Sequence, residues 1–233
     1  MAKSIAVGLC LVLGLASALC GAVAYKNAVV YRITNGGNII TYDSMENFAN
    51  DTQSYFQPAP SSTYSDDGWF YFDGKVYRTT SAGYLYSYNS PKDFMDNTNL
   101  RLLRGDEPDF IAAEWFTFGP GIYRIGLRDG KIWQYKTIDD VINNRNFVLI
   151  GTQPEYEHDG FFAINNCIYR VSNLNGETFR YECIEDFANN NGTNLGSPDP
   201  TYANDSYYVV PEPATIGVFA LGSIMVLMRR KRN

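Results

Sequence analysis

The chain predicts an all-β fold: a four-bladed β-propeller of about 46-residue repeats, closed by a C-terminal strand. Three observations lead there. Tyr31-Arg32, Tyr77-Arg78, Tyr123-Arg124 and Tyr169-Arg170 recur every 46 residues. Gly37, Gly83, Gly130 and Gly176 follow at spacings of 46, 47 and 46, and Tyr42, Tyr88, Tyr135 and Tyr181 come five residues after each glycine. A period of this length, held by several landmarks at once, marks propellers, solenoids or arrays. Solenoid repeats of this size are mostly helical, and no segment here sustains a 3.6-residue apolar period. The propeller remains.

The elements follow in chain order. Residues 1–24 read as a signal peptide: Lys3, an apolar stretch from Ile5 to Leu19, then Ala22-Val23-Ala24 as the cleavage triplet. The second repeat shows what one unit of the 25–210 body contains. "GWFYF" (68–72) is an aromatic strand, Asp73-Gly74 a tight hairpin turn, and "KVYRTT" (75–80) the partner strand. Ser81-Ala82-Gly83 turns again into "YLYSY" (84–88), rich in residues that suit a pleated surface. Ser90 then reads as the N-cap of a short helical turn, with Asp93 three residues on; Ser44 and Thr137 hold the same place. Cys183 occupies it in the fourth unit, a poor cap, which predicts the loosest of these turns there. A weaker strand, such as "NLRLLRG" (99–105) or "NFVLIGT" (146–152), ends the unit. Three or four antiparallel strands in this length fit a propeller blade.

The leading residues of the aromatic strand, Trp69, Trp115, Phe161 and Tyr207, are again 46 apart, and one step back lands on Val23. Removal of the signal peptide takes most of that strand from the first unit. "YYVV", Tyr207 to Val210, is a supernumerary copy with no unit after it. It is therefore expected to complete the first blade by pairing with Val29–Ile33. The hemopexin-like propellers share the blade number and a similar repeat length, an analogy of architecture alone.

Composition limits the partners. Setting aside Lys3, Glu212 and the four C-terminal basic residues, the body carries a net charge of −10. Nucleic acid and anionic lipid both require a basic footprint, so neither is expected. Cations, neutral glycans or basic proteins remain compatible. Phe219 alone of the aromatics lies outside the body, which argues for a substantial core over disorder.

Few residues suggest chemistry. Adjacent strand residues point to opposite faces, so each Tyr-Arg pair sends Tyr one way and Arg the other. The expectation is that Tyr packs between blades and Arg pairs with a carboxylate such as Asp93, Asp140 or Asp186. The sharper alternative is four guanidinium groups ringing a channel for an anion. His158, the single histidine, falls in an inter-unit loop with no nucleophile elbow beside it, so it reads as a loop residue. Asp66, Asp67, Glu107 and Asp109 keep a carboxylate pair for glycoside hydrolysis open without singling one out. The acidic clusters lack calcium-loop order. No catalytic, cofactor or metal residue is assigned. Cys167 and Cys183 flank the Asn175-Gly176 hairpin, so a cross-strand disulfide and two free thiols are both open.

The C-terminus, residues 211–233, carries the most specific pattern. Pro211-Glu212-Pro213 precedes a short apolar run, Ala214 to Met228, and then Arg229, Arg230, Lys231 and Arg232. The run is shorter than the roughly 20 residues of a comfortable membrane span, and its basic end would stay cytoplasmic. The tripartite motif resembles the PEP-CTERM sorting signal of exported proteins in exopolysaccharide-making Gram-negative bacteria. The resemblance covers about the last 24 residues. It implies a short transmembrane helix, transient insertion in the inner membrane, and processing by signal peptidase and then an exosortase, with release or attachment at the cell surface. Two functions follow for the body: a non-catalytic surface or matrix scaffold binding a glycan or an envelope protein, or a small secreted hydrolase acting on polysaccharide.

Overall fold

The structure, a computed structural model, describes residues 30–53, 55–60, 64, 67–126, 128–196 and 200–211. The expected signal peptide lies outside these residues, as do Glu212, Pro213, the apolar run and Arg229–Arg232 of the sorting segment. Pro211 alone of that motif is described, exposed just past the last strand. No helix among the described residues is long and apolar enough to cross a membrane.

Sixteen strands among the described residues form four antiparallel sheets of four strands each. Blade two joins β4 (Gly68–Phe72), β5 (Lys75–Thr79), β6 (Leu85–Tyr88) and β7 (Arg101–Arg104). Blade three joins β8 (Glu114–Phe118), β9 (Gly121–Ile125), β10 (Lys131–Tyr135) and β11 (Val148–Thr152). Blade four joins β12 (Gly160–Ile164), β13 (Cys167–Val171), β14 (Thr178–Tyr181) and β15 (Thr193–Asn194). Blade one takes β1 (Val30–Ile33), β2 (Ile39–Tyr42) and β3 (Tyr55–Gln57) from one end of the chain and β16 (Ser206–Val209) from the other. Val30 pairs with Val209, Tyr31 with Tyr208, Arg32 with Tyr207 and Ile33 with Ser206. The supernumerary strand thus closes the first sheet, as its sequence predicts. β4, β8, β12 and β16 contact one another in a ring, which gives the four sheets a propeller-like arrangement.

Local chemistry explains the elements. Asp73 and Gly74 both adopt positive φ (46° and 79°), the conformation of a tight two-residue hairpin; Asn165 and Asn166 do the same in blade four (53° and 59°). The landmark glycines Gly37, Gly83, Gly130 and Gly176 all turn at positive φ. At Gly83 a Cβ would lie 2.4 Å from the Glu107 carbonyl oxygen, and at Gly130 1.9 Å from that of Gln153. The incoming chain occupies the space a side chain would need, so glycine is required on two counts.

Short helices follow the third strand of each blade: α1 (Met45–Ala49), α2 (Pro91–Met95), α3 (Ile138–Ile142) and α4 (Ile184–Ala188). Ser44, Ser90 and Thr137 accept from the backbone N–H three residues on, at 3.0, 3.1 and 3.1 Å. Cys183 does so through sulfur at 3.4 Å, yet α4 keeps the same five residues. The poorer cap lengthens a contact without shortening the helix. Additional 3-10 turns at Pro108–Phe110, Pro154–Tyr156 and Pro200–Tyr202, absent from the sequence reading, lead into the innermost strands.

Four apolar clusters sit between neighbouring blades. The Tyr of each Tyr-Arg pair stacks on the second aromatic of the innermost strand: Tyr31 on Tyr208, Tyr77 on Phe70, Tyr123 on Phe116 and Tyr169 on Phe162, with centroids 4.5–5.1 Å apart. Each buried aromatic removes about 150–250 Å² from water, on the order of 4 kcal/mol before ordering entropy is subtracted. The repeated aromatics are the core.

Candidate functional site

The polar landmarks gather on the opposite face of each blade. Arg32, Arg78, Arg124 and Arg170 stand on β1, β5, β9 and β13, the strands next to the innermost ones, and all four are buried. The ring of arginines around a channel is therefore corrected: the innermost strands touch one another and separate the guanidinium groups from the axis. Towards one end of the innermost strands, Phe70, Phe116, Phe161, Phe162 and Tyr208 stand with Tyr71, Thr117, Ala163 and Val209 around a recess no larger than a single water. At the other, Ser206 Oγ donates to the Asp67 carbonyl at 2.8 Å and lies 3.3 Å from Glu114 Oε1.

The carboxylate partners are also corrected. Asp93 and Asp140 stay with their own helical turns, accepting from Asn99 and Asn146, and Asp186 lends its backbone N–H to the Cys183 cap. The arginines pair instead with the aspartate that precedes an innermost strand. Arg78 Nε meets Asp67 at 2.5 Å, Arg170 Nε meets Asp159 at 2.9 Å, and Arg32 Nε meets Asp205. The other oxygen of each carboxylate accepts a backbone N–H from the turn after the Arg strand: Asn35 at 2.9 Å, Ser81 at 3.1 Å and Asn173 at 2.8 Å. One carboxylate thus ties an arginine to a turn.

An aromatic hydroxyl layer lies behind these pairs. Tyr42, Tyr88, Tyr135 and Tyr181 each hydrogen-bond the side chain nine residues on: Asp51, Asn97, Asn144 and Asn190. Those four partners all adopt positive φ, which Asn and Asp tolerate best. Tyr64, Tyr156 and Tyr202 add hydroxyls to the same clusters, and Arg32 lies 3.9 Å from the Tyr202 ring. Burial pushes the carboxyls of Asp159 and Asp205 up to about 6, against the pull of backbone N–H donors and Arg170 or Arg32. Burial also raises the Tyr64, Tyr156 and Tyr202 hydroxyls far above their usual range, so they stay protonated donors.

Blade three breaks the pattern. Ala113 stands where the aspartate belongs and Phe110 where the tyrosine belongs, each one repeat from its equivalents. Arg124 keeps its place, 4% exposed, and its nearest ion contact is Asp109 at 3.8 Å. Phe110, Trp133, Tyr135 and Phe147 surround its guanidinium with ring centroids 5.7, 5.9, 5.8 and 5.9 Å away.

The remaining sequence candidates are scattered. Glu107 pairs with Arg104, and Asp67 with Arg78, so neither is a free catalytic acid. Asp66 falls outside the described residues. His158 is exposed in the turn before Asp159. Cys167 and Cys183 are both free thiols: Ile168 pairs with Tyr181, so Cys183 lies beyond the ladder as a helix cap, while the Cys167 thiol donates to Glu182 at 3.4 Å. Among the described residues no three His, Cys, Asp or Glu side chains cluster to hold a metal ion.

Sequence reasoning missed Asp67, Asp159 and Asp205 as the arginines' partners, and missed the tyrosines at 64, 156 and 202. The signal was available, since both sets keep the 46-residue register and both fail at the third repeat. Comparison of the chain with protein families and with curated proteins returns no match.

Proposed function

We propose that this protein is exported through a signal peptide at residues 1–24, sorted through its C-terminal Pro-Glu-Pro segment, and serves at the cell envelope or outside it as a non-catalytic scaffold that binds a glycan or another envelope protein. The observation that carries the scaffold reading is the internal engagement of the repeated ionisable residues. Three of the four arginines, their aspartates and the clustered tyrosines hold the blades together. A feature present in every repeat serves architecture, so binding specificity belongs to what differs between repeats.

The address reading rests on the three-part C-terminal pattern, and the structure adds a constraint on it. β16 ends at Val209 and Pro211 follows after one residue, so processing would occur within about 3.5 Å per extended residue of a closed sheet. Proline cannot continue the ladder, so the sheet stops there.

The test uses the full chain in an exosortase-bearing host. Replacing Pro211-Glu212-Pro213 by alanines is expected to abolish C-terminal processing, followed by the mass of the secreted product. Normal processing of that variant overturns the sorting assignment. Screening the processed protein on a glycan array, with release of reducing sugar assayed in parallel, separates scaffold from hydrolase. Retention without turnover supports the scaffold, and turnover removes it.

A further inference from the structure

A buried guanidinium carries five N–H donors and cannot shed its charge, so its partners must all be accounted for. Blades one, two and four set an internal carboxylate, held at under a tenth of its exposed surface, against the guanidinium: Nε of Arg32 and of Arg78 hydrogen-bonds it, and Nε of Arg170 makes an ion pair at 2.9 Å without hydrogen-bond geometry. Blade three does not. Nε and Nη1 of Arg124 are buried without a hydrogen-bond partner. The Asp109 oxygen 3.8 Å from Nη1 is beyond hydrogen-bond reach and already accepts from Asn144 Nδ2 at 2.9 Å. Asp129, in the enlarged turn after β9, is engaged by its neighbour Lys131, whose Nζ lies at 2.8 Å and whose backbone N–H donates at 3.1 Å.

Leaving a charged donor in this state is costly unless something else supplies the acceptor. The surroundings suit an outside supplier. Asp109 is exposed, and Trp133 and Phe147 are only partly buried, whereas Phe110 and Tyr135 behind the guanidinium are closed off. The one-residue insertion that gives the 47-residue spacing lies in the turn that the missing aspartate would tie down. An arginine presents a planar fork matched to a carboxylate, and flat aromatic walls suit the body of a small ring.

We propose that blade three is a binding site for a small organic carboxylate. Arg124 receives the ligand's carboxylate where Asp67, Asp159 and Asp205 serve the other blades, and the partly buried rings of Trp133 and Phe147, in edge-to-face contact at 5.1 Å, offer one apolar surface to the ligand's body. The carboxylate belongs either to an acidic sugar or to a short free acid. The site requires no export signal and no catalytic step, so it stands apart from the sorting assignment.

The experiment titrates the full chain, purified in a mild detergent, with sodium acetate, sodium glucuronate and neutral glucose. The readouts are the Arg124 Nε–H resonance and the unfolding midpoint. A saturable shift with a carboxylate, and none with glucose, is the expected result. Glucuronate binding about tenfold tighter than acetate identifies the acidic sugar, and equal binding identifies the free carboxylate. Arg124→Lys is expected to lose binding by removing the fork. Because that variant risks misfolding, Ala113→Asp is the decisive control: it supplies the carboxylate internally and is expected to abolish binding while keeping the fold. No saturable shift with either acid overturns the proposal, and so does undiminished binding to Ala113→Asp.

Discussion

Blade three and blade two have the same apolar skeleton and a different polar one. Trp115 and Trp69, Tyr135 and Tyr88, and Val141 and Phe94 are buried at corresponding places. Where blade two has Asp67 and Tyr64, blade three has Ala113 and Phe110. The sheet, the short capped helix and the entry turn are nevertheless all present in blade three. Apolar burial is therefore sufficient to build a blade, and the Arg–Asp pair adds something else. A buried ion pair is weak evidence of stability, because desolvation of both charges offsets most of their attraction. What the carboxylate adds is position: it orients the guanidinium and ties down the following turn.

That contrast can be tested at four strengths. The largest effect is expected from Asp159→Ala, which gives blade four the deficiency of blade three without time to adapt around it. Arg170 would be left buried without its carboxylate, keeping the Nη1 hydrogen bond to Asn190 at 3.1 Å, at a cost of about 3–5 kcal/mol in urea unfolding. A loss below about 1 kcal/mol would mean that the paired and unpaired blades do not differ in energy.

Next comes pH. The native carboxyl of Asp159 titrates near 6, above its ordinary 3.8, because burial disfavours the charge. The folded form therefore binds the proton more tightly than the unfolded chain does. Its contribution to stability is present below about 3.8 and lost as pH rises through about 6. The margin of the wild type over Asp159→Asn is expected to shrink by roughly 2–3 kcal/mol between pH 4 and pH 6.5. Thermal unfolding of the two proteins across that window measures it, and a constant margin would show that Asp159 remains ionised throughout.

Ala113→Asp runs the comparison in reverse. Supplying the absent carboxylate is expected to stabilise the ligand-free protein by about 1–2 kcal/mol, the range of a hydrogen bond to a charged group less some repacking. Destabilisation would indicate that blade three has closed over the vacated position. The smallest effect belongs to Phe110→Tyr. It restores the hydroxyl found at Tyr64, Tyr156 and Tyr202, and Asn144 already accepts from Tyr135 at 2.8 Å, so a change within about 1 kcal/mol is expected. A larger gain would show that the hydroxyl layer is also incomplete in blade three.

The blade elements were legible because each is encoded locally. Asp73-Gly74 marks its hairpin through backbone freedom, and Ser90 its helix through a side-chain acceptor. Tyr207–Val210 marks the closing strand by repeating a pattern with no unit to belong to. The candidate site was half legible. Arg124 stood out as one of four equal landmarks, but its significance lies in the absence of Asp at 113, which reading for presence does not detect. The expected partners Asp93, Asp140 and Asp186 failed for a simple reason: a capping carboxylate is already claimed by its own helix turn.

Periodicity alone thus specified the repeat, the strand order within a blade and the pairing of the two chain ends, because hydrophobic alternation and turn chemistry act over a few residues and the 46-residue register multiplies them. The folded structure decided which charge meets which. Arg32 and Asp205 are separated by almost the whole body, and only sheet closure brings them together. It also decided that the innermost strands, which pack against one another, stand between the arginines and the centre of the ring. The meeting of Arg32 with Asp205 and the packing of the innermost strands depend on long-range contacts, which leave no local pattern in a chain, whereas Arg78–Asp67 and Arg170–Asp159 join residues of one blade and were readable in the register.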